Sequence, residues 1–198
     1  MEKVYAEALK ALNNHQVIAF PTETVFGLGV FYDDEKAYQL LNQVKRRKED
    51  KPYTLMLHDI AAIKDYAYID EKRLNALRKY MPGPVTLLLK CKDNVPGYVT
   101  HNTGIIGVRV PANKEALELL EYVKKPLLVP SANRADQKPA MNDQEVKEIF
   151  GHEVAVIIPG KAIGGLPSTI IDLTGEEIKL VRQGPVSLED IKKALLKC

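Results

Sequence analysis

Residues 16–30 read Gln-Val-Ile-Ala-Phe-Pro-Thr-Glu-Thr-Val-Phe-Gly-Leu-Gly-Val and predict two short strands joined by a polar loop. The apolar run 16–20 is too short for a helix and stops at Pro21, which indicates a buried strand. Residues 26–30 predict a second strand between glycine-containing turns. Threonine side chains, including Thr22, therefore follow directly on a buried strand, which is where functional loops are often found.

Helical patterns lie on both sides of this strand pair. Residues 2–14 repeat apolar side chains at helical spacing, and Asp33 or Asp34 can cap a second helix that continues to Val44. The rest of the chain alternates in the same way. Strand-like runs occur at 53–57, 85–89, 105–110, 127–129, 154–158, 168–173 and 178–181, and helical patterns at 70–80, 114–122, 142–150 and 187–196. This alternation predicts an α/β fold, a mixed β-sheet flanked by helices, in a single domain over 1–198.

Composition narrows the class of protein. The chain has 198 residues, 45% hydrophobic and 27% charged, which is typical of a globular protein and excludes a disordered or fibrous one. Its net charge is only +2, so an anion site would have to come from local clustering. Cys91 and Cys198 are too far apart for a metal motif. Because no long apolar run or signal-peptide pattern occurs, we expect a cytoplasmic protein without membrane contact.

Cationic residues are the first candidates for function. Five of the seven residues in Lys45–Lys51 are basic, at the end of the second predicted helix. One interpretation is a solvated last turn that complements the helix dipole. The other is an anion site, because the ammonium of Lys45 and the guanidinium of Arg47 suit a polyphosphate or a carboxylate. Arg109 and Arg182 lie within or at the end of apolar strands, where they either face solvent or need a buried partner.

Polar residues after strands are the second group. Ser131 and Asn133 follow the run 127–129, and Ser168 begins another run; each could equally make a turn or cap a helix. A lone histidine such as His58 is more often packed than catalytic. Walker, dinucleotide, HExxH and GxSxG motifs are absent from the sequence. Hydroxyls, an amide and cations without a nucleophile suit binding of a nucleotide and a carboxylate, with catalysis by positioning and charge stabilisation.

Seven motifs occur in an order that resembles a known family. They are Phe20–Gly29, Lys45-x-Arg47, Pro82-Gly-Pro-Val-Thr86, Val108-Arg-Val-Pro111, Pro130-Ser-Ala-Asn133, Pro167-Ser-Thr-Ile-Ile-Asp172 and Val181-Arg-x-Gly184. In this order they resemble the YrdC-like family, whose enzymes are threonylcarbamoyl-AMP synthases. The resemblance implies the short, single-domain form of that family, with a twisted mixed sheet and a positively charged concave cavity.

The resemblance also implies a reaction. L-threonine, bicarbonate and ATP would give threonylcarbamoyl-AMP and pyrophosphate, for threonylcarbamoyladenosine modification of tRNA. Mg²⁺ is expected with ATP, held mainly by phosphate oxygens. The implied partners are a separate threonylcarbamoyl-transfer complex and tRNA, and the oligomeric state is not implied.

Site residues follow from the resemblance motif by motif. It implies a catalytic and nucleotide-binding tetrad of Lys45, Arg47, Ser131 and Asn133, with Arg182 also on the nucleotide. The threonine-binding residues that it implies are Thr22, Arg109 and Ser168, with Thr54 and His58 close by. The chain departs from the family pattern at Ala135-Asp136 and at Met141, which bears on the nucleotide-side loop.

Two other functions stay open at this point. A non-catalytic RNA-binding module of the same fold could use the basic stretch 45–51 and would bind RNA in a strongly salt-dependent way. The segment Tyr53-Thr-Leu-Met56 resembles family members without an assigned synthase activity. A narrower alternative is the carbamoyl-adenylate chemistry of the related domain in hydrogenase maturation.

Overall fold

The structure is a computed structural model in which residues 1–46 and 52–196 are described. Arg47, which the resemblance assigns to the tetrad, lies outside the described residues, as does most of the basic stretch 45–51. Within the described ranges, nine strands form one mixed sheet in the order β7-β1-β2-β6-β3-β5-β4-β8-β9. The strands are β1 (Ile18–Phe20), β2 (Gly27–Phe31), β3 (Thr54–Met56), β4 (Val85–Lys90), β5 (Ile105–Arg109), β6 (Leu127–Val129), β7 (Val156–Ile157), β8 (Thr169–Asp172) and β9 (Lys179–Arg182).

Parallel and antiparallel pairs alternate irregularly across the sheet. β1 and β7, β3 and β5, and β4 and β8 pair in parallel, whereas the other neighbouring strands pair antiparallel. The predicted α/β fold with a mixed sheet flanked by helices is confirmed. The predicted strand at 154–158 is shorter in the structure, where β7 contains only Val156 and Ile157.

Helices connect and cover the strands. They are α1 (Glu2–Asn13), α2 (Glu35–Lys45), α3 (Ile63–Tyr66), α4 (Glu71–Leu77), α5 (Gly97–Thr100), α6 (Lys114–Val123), α7 (Asp143–Phe150) and α8 (Leu188–Leu196), with a 3-10 turn at Gly151–Glu153. The side chain of Asp34 caps α2 by accepting from the amide of Ala37, as the sequence predicts. The short helices α3 and α5 were not predicted, because four residues are too few to show a helical period. No helix in the described part of the chain is long and apolar enough to cross a membrane.

Both faces of the central sheet are buried, which explains why most strands read as continuous apolar runs, whereas β9 at one edge is exposed. Neighbouring residues of one strand enter different clusters: Ile18 and Phe20 pack with α1 and α6, whereas Ala19 packs with the cluster that includes α2 and α4. A sheet covered on both faces needs apolar residues at successive positions.

Three sequence-distant segments meet where β1, β5 and β6 end. The parallel pairing of β3 with β5 places Met56 beside Arg109, and a bridge joins Gly27 to Ser131. Gly27 must lack a side chain, because a Cβ there would lie 2.5 Å from Cγ1 of Val129. The sheet thereby brings the loops after β1, β5 and β6 to one place.

Candidate functional site

A cavity of about 490 Å³ opens where these loops meet. Its lining includes six residues that the sequence singled out: Lys45, Thr54, Arg109, Ser131, Ser168 and Arg182. Tyr53, Met56, Val129 and Ile170 add apolar surface, and Asp136 adds a carboxylate. A cavity of this size with apolar walls and a few convergent polar groups is typical of a small-molecule site.

Lys45 holds the loop that carries Ser131 and Asn133. It is the last residue of α2 and only 5% exposed, and its Nζ donates to the carbonyls of Ser131 (2.6 Å) and Asn133 (2.8 Å) and to Asn133 Oδ1 (3.3 Å). The backbone returns the contact, because the amide of Ala135 donates to the carbonyl of Lys45. Lys45 therefore places a positive charge beside the cavity and fixes the shape of its wall.

Asn133 lies in the same network, behind the lining. Its Nδ2 donates to the carbonyl of Arg134 (2.7 Å), and its Oδ1 accepts from the hydroxyl of Ser131. Both ends of the amide are thus fixed by neighbours. The structure brings Lys45, Ser131 and Asn133 together.

The loop after β1 supports Arg109. The Thr22 hydroxyl donates to the carbonyl of Val25 (2.6 Å) and contacts Thr24 Oγ1 (2.8 Å), so it is satisfied within the loop. Thr24, which was not predicted as a site residue, lines the cavity and accepts from Arg109 Nη2 (2.9 Å). Thr22 therefore shapes the loop, while Thr24 reaches the cavity.

Arg109 is inward-facing, which resolves one of the alternatives left open by the sequence. It is 6% exposed, and its Nη2 donates to Glu23 Oε1 over 2.7 Å. Within the described residues, Arg109 Nε and Glu23 Oε2 are buried without a hydrogen-bond partner. Glu23, whose side chain is partly buried, is the counter-charge that an arginine in an apolar strand needs, and no sequence pattern singled it out.

Arg182 and Ser168 form the third side of the site. Nε of Arg182 donates to the carbonyl of Ser168 (3.0 Å), and its Nη2 donates to Ser168 Oγ (3.1 Å). Although Arg182 as a whole is exposed at the edge of the sheet, desolvation of its guanidinium against the cavity wall, and then repulsion from Arg109, lower its pKa from the ordinary value. Both guanidinium-bearing residues line the same cavity, so a bound anion could contact both of them.

His58 is not brought into the cavity. It follows the end of β3 by two residues, its side chain is 47% exposed, and its Nε2 lies 3.6 Å from Glu121 Oε2 on α6. Met56 is the last residue of this strand that lines the cavity. The chain leaves the site beyond it.

Arg134 is a further residue that the sequence analysis missed. It is 9% exposed, its guanidinium donates to the carbonyls of Val44 and Ile149, and it pairs with Glu153. Its carbon Cζ lies 4.8 Å from the centre of the Phe150 ring. A loop arginine carries no sequence signal for such a role when its partners are distant in the chain, as Val44 and Ile149 are here.

In the part of the chain that the structure describes, cations outnumber carboxylates around the cavity. Lys45, Arg109 and Arg182 line it, against Asp136 in the lining and Glu23 beside it. Among the described residues, no group of three or more His, Cys, Asp or Glu could hold a metal ion. These features define an α/β domain whose cationic cavity suits anionic small molecules.

The chain belongs to the Sua5/YciO/YrdC family, since the model of that family, described as telomere recombination, matches residues 10–184. A curated relative from Klebsiella pneumoniae, named threonylcarbamoyl-AMP synthase, is 37% identical over 90% of this chain and 95% of its own length. A Pyrococcus abyssi protein with the same name is 34% identical over 91% of this chain.

Solved structures agree with this assignment. The crystal structure of P. abyssi Sua5 complexed with L-threonine has a TM-score of 0.91, at 33% identity over 97% of this chain and 57% of that one. Escherichia coli YciO has a TM-score of 0.88, at 27% identity over 96% of this chain and 94% of that one. The chain spans only 54% of the length of the P. abyssi relative.

Proposed function

We propose that the protein is a threonylcarbamoyl-AMP synthase, which makes threonylcarbamoyl-AMP and pyrophosphate from L-threonine, bicarbonate and ATP. The observation that carries the proposal is the convergence of Lys45, Arg109 and Arg182 on one cavity beside the Ser131–Asn133 loop. The names of the relatives from K. pneumoniae and P. abyssi support it, as does the L-threonine complex of P. abyssi Sua5.

The proposed chemistry needs positive charge more than it needs a nucleophile. The threonine nitrogen attacks bicarbonate carbon with loss of water, which gives a carbamate. A carbamate oxygen then attacks the α-phosphorus of ATP. The bond between the α-phosphorus and the oxygen that bridges it to the β-phosphorus breaks, and this oxygen leaves with pyrophosphate. A carbamate, a carboxylate and a triphosphate must share one site, so fixed cations lower the energy of the transition state.

Each part of the site has a proposed role. Arg109 is a fork for the threonine carboxylate, with Ser168 and Thr54 beside it and Thr22 holding the loop that supports it. Lys45, Ser131, Asn133 and Arg182 act on the nucleotide and the reacting groups. Arg47 belongs to this set by the family resemblance alone, and a role for His58 stays a prediction.

Mg²⁺ is proposed to enter with ATP. Among the described residues, Asp136 is the one acidic residue that lines the cavity. The protein therefore offers few ligands for a metal ion, which fits an ion held mainly by phosphate oxygens. When bound, Mg²⁺ would offset the charge of the triphosphate. The cytoplasmic location, the threonylcarbamoyl-transfer complex and tRNA likewise remain proposals.

Turnover tests the proposal directly. With labelled bicarbonate, ATP and Mg²⁺, we expect pyrophosphate to be released only when L-threonine is present. Arg47→Ala should lower turnover because it removes charge from the reaction. Lys45→Ala should lower both turnover and the melting temperature, because its Nζ also holds the Ser131–Asn133 loop. Lys114→Ala, at a side chain that is 81% exposed, is the matched control and should leave turnover unchanged.

The same preparation distinguishes the alternatives. An RNA-binding module would show no threonine-dependent pyrophosphate release and would bind RNA with an affinity that falls steeply with salt. Carbamoyl-adenylate chemistry would use carbamoyl phosphate in place of L-threonine and bicarbonate. Either result would overturn the proposed function.

A further inference from the structure

A buried pair of hydroxyls lies behind the cavity at Thr86 and Ser168. Thr86 is 1% exposed in β4, and its Oγ1 lies 2.8 Å from Oγ of Ser168, the residue that precedes β8. Ser168 lines the cavity, whereas Thr86 does not. The hydroxyl of Thr86 can therefore affect a ligand only through Ser168.

The position of the Thr86 hydroxyl follows from the sheet. β4 lies between β5 and β8, so the side chain of Thr86 has one neighbouring strand on each side. Its methyl Cγ2 faces Gly107 of β5, where a Cβ would lie 3.4 Å from it, and its hydroxyl faces Ser168 on the β8 side. A β-branched side chain has few χ1 rotamers, which keeps the hydroxyl in place.

Hydrogen-bond accounting assigns the direction of the bond between the two hydroxyls. In the described structure, Ser168 is the hydrogen-bond partner of the Thr86 hydroxyl. If Thr86 accepted the proton of Ser168, its own proton would be buried without an acceptor, which is costly. Thr86 therefore donates, and Ser168 accepts.

Arg182 donates a second hydrogen bond to the hydroxyl oxygen of Ser168. Its Nη2 donates to Ser168 Oγ over 3.1 Å, so the oxygen accepts from both Thr86 and Arg182. A hydroxyl oxygen has two lone pairs and one proton. With both lone pairs engaged, the proton of Ser168 is left to point into the cavity.

We propose that Thr86 is a positioning residue that makes Ser168 a hydrogen-bond donor toward an anionic oxygen of the substrate, the carboxylate of L-threonine. The inference rests on the proposed function, which supplies the carboxylate. A hydroxyl that itself accepts two hydrogen bonds is a stronger donor, because hydrogen-bond chains polarise one another.

A double-mutant cycle tests the inference by calorimetric titration of L-threonine. Ser168→Ala should weaken threonine binding by about tenfold or more, as expected for a hydrogen bond to a charged group. Thr86→Val keeps the shape of the side chain but removes its hydroxyl, and should weaken binding by about three- to tenfold. Thr86→Ser keeps the hydroxyl and should stay within about twofold of the wild type.

The combined variant is the decisive measurement. If Thr86 acts through Ser168, adding Thr86→Val to Ser168→Ala should cause no further loss of threonine affinity. Thermal unfolding of every variant checks that it folds, and Thr86→Ala replaces Thr86→Val if the latter does not.

The outcomes separate this inference from the proposed function. Additive losses, or unchanged threonine binding by Thr86→Val, would overturn the inference and leave the proposed function standing. Absence of threonine binding by the wild-type protein would overturn both.

Discussion

Asp136 lies in the loop between β6 and α7 and has two unusual properties. Its φ of 62° lies in the left-handed region that glycine adopts freely and that aspartate and asparagine tolerate. Asp136 is also an exposed acidic residue in the lining of the cavity that Lys45, Arg109 and Arg182 line. The negative charge of Asp136 repels a polyphosphate that enters the cavity. The left-handed backbone conformation does not depend on this charge, so the charge can be removed without changing the backbone.

Asp136→Asn should therefore tighten the binding of pyrophosphate. Asparagine accepts the same backbone conformation, so the substitution removes the charge without adding strain. We expect the Kd for pyrophosphate, measured by titration in the presence of EDTA, to fall by about two- to fivefold, as expected for one partly solvated charge. The melting temperature should stay unchanged. A weaker or unaltered affinity would show that Asp136 does not act on the bound anion.

Glu23 is the second residue whose role is electrostatic, and it lies in the loop that supports the site. It gives the buried Arg109 a partly buried partner, so removal of its charge leaves that of Arg109 poorly compensated. Glu23→Gln should lower the free energy of unfolding by about 1–3 kcal/mol, because glutamine still offers an acceptor oxygen but no charge. Urea denaturation measures the change.

An exposed ion pair provides the control for Glu23. Lys114 and Glu118 form a pair on the surface of α6 with an N–O distance of 3.7 Å. Lys114→Gln should change the free energy of unfolding by no more than about 0.5 kcal/mol. Equal losses in the two variants would mean that the Glu23–Arg109 pair contributes no more than a surface contact.

At the scale of elements, Arg134 joins the ends of two helices to the site. The carbonyls of Val44 and Ile149 belong to the last turns of α2 and α7, where unpaired carbonyls concentrate negative charge. The next residue in α2 is Lys45, which holds the Ser131–Asn133 loop. The guanidinium therefore connects the packing of α7 to the position of a cavity cation.

The pair between Arg134 and Glu153 should make the free energy of unfolding decrease in acid. The hydrogen bond from Arg134 holds the pKa of Glu153 below its ordinary value of 4.5. A lowered pKa in the folded state stabilises the protein above about pH 4.5, and this stabilisation is lost as the pH falls through the folded value. The effect is small, because the Glu153 side chain is 45% exposed.

Urea denaturation in steps from about pH 7 to pH 3 checks this expectation. The difference in unfolding free energy between wild type and Glu153→Gln should be constant at neutral pH and shrink below about pH 4.5. Glu148→Gln, on an exposed part of α7, is the control for a lost carboxylate. A difference that persists undiminished at the acid end would contradict the role assigned to the pair.

The positions of the strands along the chain were easier to predict from the sequence than the pairing of those strands in the sheet. The apolar runs gave the strands, because burial on both faces leaves a local signal in each run. The position of β6 between β2 and β3 has no such signal, since strand neighbours are set by contacts between distant segments. The site divides in the same way. Lys45, Ser131 and Thr86 stand in recognisable motifs, but the contact of Thr86 with Ser168 and those of Arg134 with Val44 and Ile149 join distant segments that the local sequence does not reveal.

For the whole molecule, net charge is a poor guide to what the cavity binds. The chain carries 28 basic and 26 acidic residues, for a net charge of +2. Three cations nevertheless converge on the cavity, and burial with repulsion from Arg109 lowers the pKa of Arg182. Charges in a shared, partly buried cavity are screened less than charges spread over the surface.

Two substitutions should separate local from total charge. Lys90→Glu changes the net charge from +2 to 0, but Lys90 is exposed at the far end of β4, four residues from Thr86. Four residues of strand span about 13 Å, which exceeds the screening length of about 10 Å at 0.1 M salt. The Kd for ATP should therefore change by less than about twofold.

Arg182→Gln removes one charge from the cavity and should weaken ATP binding by about tenfold or more, since it deletes a charge-assisted contact. If the Kd followed net charge instead, Lys90→Glu would have the larger effect, and the cavity would not be where ATP binds.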